Sequence, residues 1–236
     1  MIPSKDRLIL ALDVPTAAKA KSLVLELGET VHFYKIGLEL FLSGEYFELS
    51  DWLQDNGKRV FADLKLFDVP QTVASAVKQL RSQNVDFVTV HGNDAILSAA
   101  CEAGKGGVQI LAVTVLTSLD KADMADLGFQ ADISSVVQSR ARRAEALGCA
   151  GVVASGHEAK SIRSSVGDRF RLVVPGIRPN TAAGSDDQKR TVDVEDAFRA
   201  GADFIVMGRP IRNAANPRAA AEDVQRRILD CTKPEL

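Results

Sequence analysis

The strongest constraint in this sequence is a unit that recurs along the whole chain: a short run rich in β-branched and aromatic residues, then a stretch with helical spacing. The runs are Leu8–Val14, Val31–Gly37, Arg59–Leu66, Phe87–Gly92, Ile110–Leu116, Gly151–Ser155, Leu172–Ile177 and Phe204–Gly208. Several are near-continuous apolar runs, the pattern of parallel strands covered on both faces. Between them, Val73, Ala76, Val77 and Leu80 share one helical face. So do Ile133, Val136, Val137, Ala144 and Leu147, and so do Ala220, Ala221, Val224 and Ile228. Asn216-Pro217 reads as a helix N-cap followed by proline at the first helical position. Gly28, Gly57, Gly148 and Gly201 fall where a helix ends before the next strand.

Eight such units in 236 residues match the repeat of a (β/α)8 barrel, whose usual length is about 250 residues. The fold read from the sequence is therefore α/β, a (β/α)8 TIM barrel, with residues 1–236 as a single domain. A doubly wound open sheet shares the alternation, but no Gly-x-Gly-x-x-Gly follows the first run. Lys and Arg total 29 against 31 Asp and Glu, a net charge of −2. Nothing in that balance favours nucleic acid or an anionic membrane as partner. The N-terminal residues lack the apolar stretch of a secretory signal. No apolar run approaches the roughly 20 residues that span a bilayer. Three widely spaced cysteines, Cys101, Cys149 and Cys231, argue against a disulfide framework or a zinc knuckle. They suit a reduced, cytoplasmic protein in which they pack as small hydrophobes.

Charges inside strands carry the functional signal. The third run reads Phe61-Ala62-Asp63-Leu64-Lys65-Leu66-Phe67-Asp68-Val69-Pro70. With period 2, Asp63 and Lys65 share one face, and Ala62, Leu64 and Leu66 the other. Asp68 falls just past the strand end, so Lys65 is expected between two carboxylates. The second run adds Lys35 and the first Asp13. Five charges at the C-terminal ends of neighbouring strands converge on the barrel mouth, where this fold keeps its active sites. Such charges are costly to bury unless paired, and alternating lysines and aspartates pair them. An internal salt-bridge network that only fixes strand register remains the alternative.

A second cluster points to phosphate. The seventh run ends Val174-Pro175-Gly176-Ile177-Arg178-Pro179 and the eighth Met207-Gly208-Arg209-Pro210. Barrels of this kind bind phosphate with the loops after strands seven and eight, where glycine admits backbone N–H groups and arginine offers a forked donor. The polar stretch Arg178–Arg190 follows strand seven and is read either as a lid that orders on ligand or as a plain surface loop. Thr117 and Ser118 end strand five as ligand hydrogen-bonders or turn caps. His91 ends strand four and is read as a satisfied hydrogen-bonder. No pair of histidines or cysteines has metal-ligand spacing.

Asp63-x-Lys65-x-x-Asp68 followed by Val-Pro-Gln-Thr72 resembles the orotidine 5′-phosphate decarboxylase family, in its bacterial form. So do the Asp13 and Lys35 strands, Val-Leu-Thr117-Ser, Pro-Gly-Ile-Arg178-Pro, Gln188 and Met-Gly208-Arg209-Pro-Ile, and the likeness covers nearly the whole chain. The resemblance implies a homodimer that decarboxylates orotidine 5′-monophosphate in de novo pyrimidine synthesis, with no metal and no organic cofactor. It implies Lys65 as proton donor to C6 and Asp63 against the substrate carboxylate. Lys35 and Asp68 complete the charge network, Asp68 reaching across into the partner's site. Asp13 and Lys35 are implied at the ribose, Thr72 at the phosphoribosyl region and Thr117 at the pyrimidine edge. Gln188, Arg178, Gly208 and Arg209 are implied at the phosphate. A Mg-dependent sugar-phosphate lyase resembling 3-keto-L-gulonate 6-phosphate decarboxylase shares the Asp-x-Lys-x-x-Asp element. That family's pattern has a metal-binding carboxylate in strand two, where this chain has Lys35. A Schiff-base aldolase using Lys65 and a non-catalytic phosphate-binding barrel are the other readings.

Overall fold

The computed structural model of the protein describes residues 2–179 and 191–232. Eight parallel strands close into a barrel in chain order: β1 (Leu8–Ala11), β2 (Phe33–Gly37), β3 (Arg59–Leu66), β4 (Phe87–Val90), β5 (Gln109–Val113), β6 (Gly151–Val153), β7 (Arg171–Val174) and β8 (Phe204–Met207). β8 returns to pair with β1, Leu8 against Ile205. Each expected run overlaps one strand, and the closed barrel excludes the open-sheet alternative. The helices are α1 (Ala17–Leu27), α2 (Leu38–Leu42), α3 (Tyr46–Asp55), α4 (Pro70–Ser82), α5 (Asp94–Gly104), α6 (Lys121–Asp126), α7 (Ile133–Ala146), α8 (Gly156–Arg163), α9 (Val194–Arg199), α10 (Arg209–Arg212) and α11 (Pro217–Thr232).

The helices form where their caps and faces dictate. The Asn216 side chain accepts from the Ala219 N–H at 2.9 Å, starting α11 at Pro217 as expected. Val73, Val77 and Leu80 of α4 are buried against the sheet, as are Ala221, Val224 and Ile228 of α11. Gly148 and Gly201 leave their helices at φ 83° and 97°, a conformation that carries no Cβ penalty in glycine. Among the described residues no helix is long and apolar enough to cross a membrane. The three cysteines are free thiols. Cys101 on α5 and Cys149 before β6 bring their sulfurs to 3.2 Å, a proximity their sequence spacing did not suggest.

Two hydrophobic layers meet at the sheet. Outside, strand and helix side chains such as Leu10, Ile36, Val88 and Val174 form the main core. Inside, the barrel is filled by Ile9, Phe33, Phe61, Phe87, Leu111, Val173 and Phe204, with Ala11 and Val206 above them. Phe87 meets Phe33 and Phe204 at centroid distances of 5.3 Å and Phe61 at 5.9 Å. The Arg59 guanidinium lies 4.2 Å over the Phe33 ring and is held by Asp86 at 2.8 Å, closing the N-terminal end of the barrel. Each buried ring stabilises the fold by roughly 2–3 kcal/mol. This apolar floor fills the barrel up to the level where Lys35 and Asp63 begin.

Candidate active site

The inward positions alternate along each strand, so the residues after the phenylalanine layers are Lys35 on β2, Asp63 on β3 and Thr89 on β4. Lys35 is buried. Its Nζ lies 3.1 Å from Asp13 Oδ1 and 3.1 Å from Asp63 Oδ2. Asp63 Oδ1 accepts from Lys65 Nζ at 2.8 Å. The result is a linear array, Asp13–Lys35–Asp63–Lys65, of alternating sign and zero net charge. Exposure rises toward both ends: the side chains of Lys35 and Asp63 are 11% and 13% exposed, those of Asp13 and Lys65 49% and 37%. Burial alone would lower the Lys35 ammonium, but Asp63 and Asp13 outweigh it and hold its pKa above the ordinary lysine value. Burial alone would raise Asp63, but Lys35 and then Lys65 pull its carboxyl down to about 2.

The inward aspartate and lysine of β3 stand at nearly one level because the strand is bulged between them. Ala62 pairs with Val88 and Leu66 with Val90, so Asp63, Leu64 and Lys65 together stand opposite Thr89 alone. Leu64 faces the outer core, as the period-2 reading expected. Lys65 takes up the surplus with φ +48°, rare for a residue with a side chain. Its backbone N–H leaves the ladder and donates to Thr89 Oγ1 at 2.9 Å.

Asp13, Lys35, Asp63, Lys65, Thr117, Arg178, Gly208 and Arg209 all line one cavity of about 460 Å³ at the C-terminal mouth. Val113, Val115 and Val153 supply apolar wall. Arg178 comes from the segment after β7, where Ile177 bridges to Val192 and the Arg178 N–H donates to the Val192 carbonyl at 2.9 Å. Arg209 opens α10. Arg212, on the same helix, donates to the Asp13 carbonyl and ties β1 to the loop after β8. Neither Thr89 nor Arg212 is marked by the sequence motifs. The signal for Thr89 was a single hydroxyl at an inward position of an otherwise apolar strand.

Two expected residues do not join the cavity of their own chain. Asp68 is exposed, and its Oδ1 accepts from the Val69 N–H at 2.6 Å. Among the described residues Lys65 is therefore paired with Asp63 alone, not held between two carboxylates. Thr72 is also exposed, on the first turn of α4. The cause is local: after the bulge the chain swings outward, and Phe67 and Val69 lie 69% and 62% exposed beside Asp68. Gln188 and most of Arg178–Arg190 lie outside the described residues. The His91 ring packs on Phe67, with centroids 5.6 Å apart. Burial, then Arg140 and Lys65, lower its pKa. Among the described residues no group of three His, Cys, Asp or Glu side chains is placed to hold a metal ion.

Comparison with known proteins agrees with this geometry. The profile of the "Orotidine 5'-phosphate decarboxylase / HUMPS family" matches residues 6–224. The orotidine 5′-phosphate decarboxylase of Methylococcus capsulatus is 58% identical over 229 residues, 97% of this chain and 94% of its own. That of Stenotrophomonas maltophilia is 50% identical, over 96% and 95% of the two chains. Among solved structures, the orotidine 5′-phosphate decarboxylase of Lactobacillus acidophilus superposes with a TM-score of 0.83 at 30% identity, covering 94% of this chain and 99% of its own. The profile, the full-length identity and the closed barrel with its lysine–aspartate array agree, and the chain belongs to the orotidine 5′-phosphate decarboxylase / HUMPS family.

Proposed function

We propose that this chain decarboxylates orotidine 5′-monophosphate to uridine 5′-monophosphate and CO2, a step of de novo pyrimidine synthesis in the cytoplasm. The observation that carries this reading is the array Asp13–Lys35–Asp63–Lys65 in one cavity with Arg178 and Arg209. Breaking the C6–carboxylate bond leaves an electron pair on C6 with no attached sink. Lys65, at the open end of the array, provides a cation beside that pair and the proton that quenches it. Its amine then regains a proton from water, so each turnover consumes one proton. Asp63 holds the Lys65 ammonium and places negative charge by the departing carboxylate. Lys35 and Asp13 address the ribose hydroxyls and Thr117 the pyrimidine edge. Arg178, Gly208, Arg209 and Gln188 hold the phosphate, whose binding energy is spent on orienting the reacting carbon.

Asp68 and Thr72 fit this reading in a homodimer. Both sit on the exposed segment that also presents Phe67 and Val69, and apolar surface of that kind favours cover by a second copy. Asp68 then reaches the partner's Lys65 from the side that the array leaves open. The second reading, a Mg-dependent sugar-phosphate lyase, shares the family profile, but the Lys35 ammonium stands where that chemistry uses a metal-binding carboxylate. The test is to add orotidine 5′-monophosphate to the purified protein and follow the loss of orotate absorbance. Steady conversion to uridine 5′-monophosphate is expected, and an unchanged spectrum at high enzyme concentration refutes the proposal. Mixing inactive Lys65→Ala and Asp68→Ala proteins tests the shared site. Random exchange of subunits leaves one intact site in half of the dimers, about a quarter of wild-type activity; no recovery refutes it.

A further inference from the structure

Thr89 lies at the centre of the β4 strand, fully buried, on the barrel's inner face. Its hydroxyl makes two bonds whose direction chemistry fixes. The Lys65 backbone N–H can only donate, so Thr89 Oγ1 accepts it at 2.9 Å. The ionised Asp63 carboxylate can only accept, so the Thr89 hydroxyl hydrogen goes to Asp63 Oδ1 at 2.9 Å. One hydroxyl thus clamps both ends of the bulge: the carboxylate of its first residue and the backbone of its third. Without this acceptor the Lys65 N–H, displaced from the ladder, is left unpaired in the barrel wall, at the residue with φ +48°. Without the donor, the Asp63 carboxylate loses the bond that sets its rotation between Lys35 and Lys65.

We infer that Thr89 is a positioning residue for decarboxylation: its hydroxyl locks the bulge of β3 in the shape that aims the Lys65 ammonium. The inference rests on the proposed role of Lys65 but is tested separately from it. A valine is nearly isosteric with threonine and can make neither bond. A serine can make both. Three proteins are compared: wild type, Thr89→Val and Thr89→Ser. Thr89→Val is expected to lose kcat by roughly 10- to 100-fold, the scale set by misplacement of a reacting group by about 1 Å. Its KM is expected to stay within about threefold, because the phosphate-binding arginines are untouched, and Thr89→Ser is expected to restore most of kcat. A residue that served stability alone would lower the unfolding midpoint and leave kcat of the folded enzyme unchanged.

The second readout is hydrogen exchange at the Lys65 amide, measured without substrate. It is expected to be slow in wild type and Thr89→Ser and to speed up at least tenfold in Thr89→Val. Wild-type kcat in Thr89→Val, or a Thr89→Ser protein as impaired as Thr89→Val, overturns the inference. If Thr89→Val does not fold, the wild type still decides: a Lys65 amide that exchanges as freely as that of exposed Phe67 also overturns it. If wild type fails to decarboxylate orotidine 5′-monophosphate while the exchange pattern holds, the substrate reading fails and the clamp stands.

Discussion

Replacing Asp63 with asparagine tests the charge array through its thermodynamics. Asp63 receives three donors, from Lys35, Lys65 and Thr89. Burial pushes its carboxyl up, Lys35 and Lys65 pull it further down, and the pKa falls from 3.8 to about 2. At about 1.36 kcal/mol per tenfold change in the ionisation constant, that fall makes ionised Asp63 worth roughly 2–3 kcal/mol at neutral pH. The folded value lies below the unfolded one, so this stability is present above the unfolded pKa and is lost as pH falls toward 2. By pH 3 about half of it remains. Asparagine cannot titrate, so the stability gap between wild type and Asp63→Asn is roughly 2–3 kcal/mol at pH 7 and narrows by about 1 kcal/mol at pH 3. With a urea dependence of about 3 kcal/mol per molar for a chain of this size, the unfolding midpoint at pH 7 drops by roughly 0.8 M. Urea titrations followed by Trp52 fluorescence at both pH values measure it. Equal midpoints at pH 7, or a gap that does not change with pH, refute the claim that the lysines bind ionised Asp63 in the folded state.

Lys65→Ala is expected to abolish turnover while shifting stability by no more than about 1 kcal/mol, since its side chain is 37% exposed and its partner keeps Lys35; activity and urea unfolding on the same sample check this. Arg209→Ala is expected to lower kcat/KM for the nucleotide by roughly 10- to 100-fold, the loss of one charge-assisted bond to phosphate. It should leave turnover of the dephosphorylated nucleoside nearly unchanged, and an equal loss on both substrates contradicts a phosphate role. Exhaustive chelation with EDTA is expected to leave activity intact; loss of activity that Mg2+ restores shifts the assignment to the sugar-phosphate lyase.

The barrel was legible because its signal is redundant. Eight buried strands each show as an apolar run, and an error in one does not change the count. Strand ends were less legible: Leu8–Val14 was read as a strand, but pairing stops at Ala11. Leu12 still donates to the Lys35 carbonyl at 2.9 Å while the chain bends to carry Asp13 to the mouth. β3, by contrast, begins and ends where its residues predict, Arg59 to Leu66. Period 2 placed Asp63 and Lys65 on the same side and was right, yet it hid the reason. The bulge keeps Asp63 and Lys65 together opposite Thr89, and no local pattern in Phe61–Leu66 announces a bulge. Nor does nearness to Lys65 in sequence reveal that Asp68 and Thr72 stand outside the cavity of their own chain. α2 and α6 also escaped notice, being short helices whose stability comes from what they pack on and not from periodicity.

The array also explains why its two lysines are not equivalent. Lys35 is buried between two carboxylates above a floor of phenylalanines. In that low-dielectric setting an ammonium survives only with partners, and removing either carboxylate exposes the cost. It is therefore fixed in place and in charge, suited to hold geometry and unsuited to surrender a proton. Lys65 has one carboxylate partner among the described residues, more solvent, and a backbone conformation that the surrounding strands must impose. A proton donor needs that combination: a charge that is aimed but not sequestered. The rigid middle of the array, Lys35 and Asp63, thus lies deep in the barrel, and Lys65 stands toward its rim. Sealing both lysines below the rim would keep the same composition and the same pairing and leave no accessible proton.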